Sequence, residues 1–140
     1  MSAGPLELEP VGEVLSSLTD RESAPKQGQE GSPRAWLALE ESVREAARDL
    51  YVGEQVIVLT WLDRARRDVQ SVHPRSDPDI PMHGVFSTRS PDRPNPIGLH
   101  RVTIVAIDDL RIEVRDLEAL DGTPILDVKP VLSDDRWPGR

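Results

Sequence analysis

Arg101-Val102-Thr103-Ile104-Val105-Ala106-Ile107-Asp108-Asp109-Leu110-Arg111-Ile112-Glu113-Val114-Arg115 is the stretch that decides the fold class. Two runs rich in β-branched and apolar residues, 101–107 and 110–114, flank the acidic pair Asp108-Asp109, the pattern of a hairpin. In the second run Leu110, Ile112 and Val114 point one way while Arg111, Glu113 and Arg115 point the other. One face of the sheet is therefore buried and the other wet.

The same reading extends outward in both directions. Upstream, 55–62 (Val56, Ile57, Val58, Leu59, Thr60, Trp61) has the β-branched density of a buried strand, and Ala35-Trp36-Leu37-Ala38-Leu39 and 11–18 are further candidate strands. Downstream, Leu120-Asp121-Gly122-Thr123-Pro124 is turn chemistry, and 125–128 makes a last strand before Pro130. A short strand is expected over 85–88. One helix is expected to open at Ser42, where Glu45 completes a capping box, and to end near Gly53 with Val43, Ala46, Ala47 and Leu50 on one face. Segments 19–32 and 68–83, polar and interrupted by prolines, read as long loops. Many short strands with Gly/Pro-rich turns predict a mainly β chain, a compact barrel or half-barrel with one short helix and long loops. A single domain over 1–132 and a flexible tail over 133–140 are expected.

Composition narrows the function classes. At 140 residues, 37% apolar with one Phe, the chain has room for one modest core, which raises the expectation of a homodimer. There is no Cys, so neither disulfides nor thiolate zinc can form, and a cytoplasmic location is expected. No run approaches a membrane span, and the first residues lack a signal-peptide pattern. His73, His83 and His100 show no ligand spacing, so no metal site is expected. Gly-rich phosphate loops, nucleophile elbows and histidine pairs on a helix are absent. The net charge of −8 argues against broad binding of nucleic acid, although Arg64, Arg66, Arg67, Arg75, Arg89, Arg93 and Arg101 concentrate positive charge in the middle third.

Two clusters carry the chemistry. In the stretch from Gly84 to Leu99, Pro91, Pro94 and Pro96 each fix φ and remove a donor, which makes a rigid loop holding Arg89 and Arg93. Its forked guanidinium groups suit carboxylates, phosphates and base edges; the plainer alternative is a turn whose arginines pair with Asp92. In the second cluster Asp116, Glu118 and Asp121 surround an apolar turn followed by Asp127 and Lys129. Carboxylates facing arginines suit a zwitterionic ligand, while Asp127 and Lys129 could equally form a structural pair.

With both clusters in view the chain closely resembles the TsaA-like, TrmO-type family of S-adenosylmethionine-dependent tRNA methyltransferases. The resemblance rests on Gly84-Val85-Phe86-Ser87-Thr88-Arg89-Ser90-Pro91-Asp92-Arg93-Pro94-Asn95-Pro96-Ile97-Gly98 and on Leu120-Asp121-Gly122-Thr123-Pro124-Ile125-Leu126-Asp127-Val128-Lys129-Pro130. Pro25-Lys26-Gln27 and 56–65 add weaker support, and the resemblance covers roughly 11–132. It implies a β-barrel, a homodimer, S-adenosyl-L-methionine as methyl donor, and transfer to N6 of threonylcarbamoyladenosine beside the tRNA anticodon. Carried over, the donor-binding positions are Gln27, Gly28, Gln29, Glu30, Asp63, Arg64, Arg89, Leu99, Arg115, Asp116, Leu117 and Glu118. Arg93, Asn95 and Lys129 are the candidate acceptor-binding residues, and Asp121 or Asp63 the candidate general base. The chain departs from the family at Asp63, which stands for a His, at Glu54-Gln55, which stands for Ser-His, and at Lys26, which stands for Arg. Longer family members carry an additional C-terminal domain. A small-metabolite acceptor and a non-catalytic donor-binding module are the competing expectations.

Overall fold

The structure is a computed structural model that describes residues 4–18 and 34–132. Among the described residues eight strands occur in the order β1 (Gly12–Leu15), β2 (Ala35–Leu39), β3 (Gln55–Trp61), β4 (Ser71–Val72), β5 (His83–Gly84), β6 (Ile97–Asp108), β7 (Arg111–Arg115) and β8 (Pro124–Pro130). Six of them pair antiparallel in the order β1-β2-β7-β6-β3-β8 and close on themselves through β8 and β1, while β4 and β5 form a separate small ribbon. Among the described residues no helix is long and apolar enough to cross a membrane. The expected tail over 133–140 lies outside the described residues.

Alternation fills the barrel. Val56, Val58 and Thr60 of β3, Val102 and Ile104 of β6, Ile112 and Val114 of β7, Leu37 of β2, Val14 of β1 and Ile125 of β8 are buried, and the intervening residues face outward. The central hairpin is confirmed, with Asp109 in the left-handed region at its tip. Its first strand starts earlier than expected, at Ile97. Pro96, itself buried, ends the rigid loop by accepting a hydrogen bond from the Leu62 amide at 2.8 Å, and pairing begins at the next residue.

Three local expectations are corrected. The segment after Ser42 is a single 3-10 turn, Glu41–Val43, followed by turns, and no side chain caps it. Only Val43, Ala47 and Leu50 are even partly buried and Ala46 is exposed, so too narrow an apolar face meets the barrel to sustain a regular helix. The expected strand at 85–88 is another 3-10 turn, Val85–Ser87. It is bent by the Val85 carbonyl, which accepts from the Thr88 amide, the Thr88 hydroxyl and the Arg93 guanidinium. The strand expected over 11–18 stops at Leu15, because the next amide, that of Ser16, donates to Asp121 Oδ1 instead of a strand partner.

Strand direction sorts the connections. Every pairing in the ring is antiparallel, so β1, β3 and β7 finish at the end where β2, β6 and β8 begin. Connections 62–96 and 116–123 therefore emerge at one end of the barrel, where β1 also ends and β2 begins. Connections 40–54 and 109–110 lie at the other. Leu117 and Ala119, buried in the main core cluster, close the first end from within.

Candidate functional site

That first end, the rim, gathers most of the sequence-derived candidates from separate parts of the chain. Asp63 and Arg64 follow directly on β3 and are exposed. Arg89 sits in the proline-rich part of 62–96. Leu99 lies near the start of β6, opposite Leu59 and half-exposed at 49%. Arg115 ends β7, paired with Thr103, and Asp116, Leu117 and Glu118 lead away from it. Asp121 opens the turn into β8. Gln27, Gly28, Gln29 and Glu30 belong to the β1–β2 connection and lie outside the described residues. Lys129 is not at the rim: it lies toward the far end of β8, opposite Ile57, and its ammonium pairs with Asp127 at 3.1 Å.

Several candidates have structural engagements that spacing could not show. Arg93 does not reach into solvent; its Nη2 donates to the carbonyl of Val85 and to that of Thr88 at 2.9 Å, and its Nε is buried without a hydrogen-bond partner. Asn95 Oδ1 accepts from Arg67 Nη2 at 2.9 Å. Asp121 ties two connections together: Oδ1 accepts from the Ser16 amide at 2.9 Å, and its own amide donates to the Leu18 carbonyl at 2.7 Å. Asp116 has φ +69°, a left-handed conformation that costs a non-glycine residue free energy and turns the chain sharply off β7. Leu117 then turns inward and is fully buried, while Asp116 and Glu118 on either side of it remain only partly buried.

Sequence reasoning missed the residues that organise this loop. Arg67 stacks over the Trp61 ring, 5.2 Å from its centroid, and donates through Nε to the Pro94 carbonyl at 2.8 Å. Asp92 Oδ1 accepts from the Arg66 amide at 2.9 Å, and the Arg93 amide donates to the Arg66 carbonyl at 3.0 Å. The Arg66 guanidinium in turn holds the Asp68 carboxyl below the ordinary carboxylate range. The segment after β3 is thus laced to the Pro91–Pro96 part of the loop. The one sequence signal of this arrangement was the trio Arg64, Arg66 and Arg67, whose charge was visible but whose engagements were not: Arg67 with the Pro94 carbonyl and Asn95, and Arg66 with Asp68 and, through its amide, Asp92.

Against this fixed frame, Arg89 stands out. It is exposed and makes no hydrogen bond or ion pair among the described residues, although its neighbours Thr88 and Ser90 are both bonded. Phe86, the only phenylalanine, is 87% exposed on the same loop, and Ile97 and Leu99 at the start of β6 add outward apolar surface. A free guanidinium, carboxylates at Asp63 and Asp116, and uncovered apolar side chains supply the three kinds of contact that a ligand with a carboxylate, an ammonium and an aromatic base requires. Among the described residues no cluster of His, Asp and Glu could hold a metal ion.

A sequence model of the tRNA-methyltransferase O N-terminal domain matches residues 13–135. This chain belongs to that family. A probable S-adenosyl-L-methionine-binding protein of Archaeoglobus fulgidus is 39% identical over 128 residues, covering 91% of this chain and 34% of that protein. An S-adenosyl-L-methionine-binding protein of the same organism is 38% identical over 122 residues, covering 87% of this chain and 86% of its own length. The crystal structure of TrmO from P. aeruginosa superposes with a TM-score of 0.74 at 26% identity, covering 99% of this chain and 60% of that one. Another TrmO crystal structure gives 0.75 at 27% identity, covering 97% and 62%. The chain thus spans about a third of the first of these relatives and about three-fifths of the crystallised TrmO chains.

Proposed function

We propose that this chain binds S-adenosyl-L-methionine at the rim and methylates tRNA at N6 of threonylcarbamoyladenosine next to the anticodon. The observation that supports the reading is that Arg89, whose guanidinium engages nothing among the described residues, belongs to a connection at the same end of the barrel as Leu99 and 115–118. When bound, the donor supplies a sulfonium methyl group. The residues do the rest: Arg89 holds a carboxylate, Asp116 or Glu118 meets an ammonium or ribose hydroxyls, and Leu99 offers apolar contact. The rigid loop then fixes where an acceptor nitrogen can approach, which is most of what transfer from a sulfonium demands of a protein.

An N6 nitrogen acylated by a carbamoyl group is a poor nucleophile until it loses its proton, and Asp63, exposed at the exit of β3, is the carboxylate best placed in this reading to accept it. Phe86 supports an RNA acceptor, since an exposed ring on a stiff turn is a stacking face for an unpaired base. Charge distribution supports it too. The 62–96 connection at the rim carries six arginines against five aspartates, whereas 40–54 and 108–109 around the opposite end carry seven carboxylates against Arg44 and Arg48.

The test is transfer of labelled methyl from S-adenosyl-L-methionine to total tRNA from a strain lacking this activity, with the nucleosides then separated and weighed. Label in a methylated threonylcarbamoyladenosine, lost in Arg89→Ala, is the expected result. A second reading, a small-metabolite acceptor, is favoured by the net charge of −8. Label in the metabolite extract with none in tRNA would establish it and overturn the first.

A further inference from the structure

We propose that Arg93 is the positioning residue of the rim, fixing the backbone from which Arg89 projects and affecting ligand binding only through Arg89. The proposal rests on the reading of Arg89 as the residue that grips the donor.

The argument begins with two carbonyls. Arg93 Nη2 donates to the Val85 carbonyl, at the start of the 3-10 turn, and to the Thr88 carbonyl, which belongs to the peptide group that joins Thr88 to Arg89. One guanidinium nitrogen therefore holds both ends of the short segment that leads into Arg89. The Thr88 hydroxyl adds a third tie by donating to the Val85 carbonyl and accepting from the Ser90 amide. Arg93 is itself anchored: its amide donates to the Arg66 carbonyl, the preceding Asp92 accepts from the Arg66 amide, and the following Pro94 carbonyl accepts from Arg67. Pro91 and Pro94 remove backbone freedom on either side.

The result is a rigid base under a free head. The backbone on both sides of Arg89 is bonded while its guanidinium engages nothing among the described residues. An unengaged arginine on a mobile loop would lose much of its grip to ordering, and pre-setting its backbone removes that cost before a ligand arrives. Arginine suits the anchoring task because its planar head holds both hydrogens of Nη2 in fixed directions, one for each carbonyl, without ever losing its charge. A lysine offers a point charge and keeps only part of that geometry.

The experiment compares Arg93→Ala and Arg93→Lys with Arg89→Gln and with Arg89→Gln/Arg93→Ala. Calorimetric titration with S-adenosyl-L-methionine measures affinity, trypsin cleavage of the Arg89–Ser90 bond measures loop fixation, and thermal unfolding checks the fold. In Arg93→Ala, binding is expected to weaken about ten- to a hundredfold, the effect of a misplaced anchor. Cleavage after Arg89 is expected to accelerate, Arg93→Lys to fall between, and Arg93→Ala to cost little more once Arg89 is already Gln. Full additivity in the double variant, or parent-like cleavage in Arg93→Ala, overturns the proposal. If the parent chain binds no S-adenosyl-L-methionine, the donor reading fails by itself, and the cleavage rates still decide whether Arg93 fixes the loop. Should Arg93→Ala not fold, Arg93→Lys and its double variant with Arg89→Gln carry the same comparison.

Discussion

His100 is a partly buried residue whose chemistry the barrel suppresses. It points inward from β6 opposite Val58, with Nε2 2.8 Å from Thr60 Oγ1, and burial pushes its pKa down from 6.5 to about 4. The unfolded chain takes up a proton near pH 6.5, which the folded chain refuses until about pH 4. Stability from this group is thus complete above the unfolded value and falls by up to about 1.4 kcal/mol per pH unit between the two. Urea unfolding at pH steps from 7.5 to 4.5 should show this decline in the parent, and His100→Gln should remove it while carboxylate titration persists in both. Equal slopes would clear His100 of the effect. Gly98 belongs to the same arrangement, because a Cβ there would lie 2.4 Å from Thr60 Oγ1 and 2.7 Å from His100 Nε2. Neither residue's role was legible in the sequence, where a lone histidine and a lone glycine carry no period. Arg93 was equally opaque: its charge suggested a ligand, while its targets are carbonyls that any residue could supply. Arg89 differs from it in no local feature, and only the hydrogen bonds separate the anchor from the residue it presents.

At the level of elements, alternation told the truth wherever one face meets the core. The 110–114 pattern became β7 with Ile112 and Val114 buried, and the dense run at 55–62 became β3. Where hydrogen bonds from distant residues intervene, local patterns lost. The expected strand at 85–88 bends because Arg93 captures its carbonyl, and β1 ends early because Asp121 captures an amide. Asp121 matters for a further reason. β1 meets β8 through only two residue pairs, Gly12↔Ile125 and Glu13↔Pro124, against seven between β3 and β6. The Gly122 amide donates to the Val14 carbonyl, the Val14 amide donates to Thr123, and Asp121 fastens Ser16 just beyond that narrow seam. Asp121→Ala should cost about 1 kcal/mol, comparable to losing a capping side chain. It should also speed amide exchange at 12–16 while leaving β3 and β6 protected. Asp121→Asn keeps the accepting oxygen and should behave like the parent in both respects. Unchanged exchange in the Ala variant would deny the tether its importance.

At the scale of the whole molecule, the rim motifs were legible because they are long and ungapped, while their convergence on one end of the barrel required the strand order. The outer face of β3 and β6 poses a separate question. Paired residues share a face, so Leu59 and Trp61 of β3 lie beside Leu99 and Ile97 of β6, with Ile57 continuing the stripe outward. Ile97 and Leu99 remain 43% and 49% exposed. A contiguous apolar surface of this kind on a small barrel fits a second copy of the chain, and we propose a homodimer whose interface runs along it, with Leu99 at the border between partner and donor. Sedimentation at micromolar concentration should give a single species of twice the chain mass, and Ile97→Asp should halve it without unfolding the barrel. A monomeric parent would remove the proposal.

The ring leaves no strand without a neighbour on either side, and its shortest closure is the one through the four residues of β1. A fastening that short works like a clasp on a bracelet. When it opens, β2 and β8 each present a bare edge shaped for one particular strand, and the β1 of any nearby copy fits as well as the chain's own. Opening at β1 therefore uncovers two edges at once, the place where strand exchange between copies would begin, and the four-residue length of β1 keeps that place small.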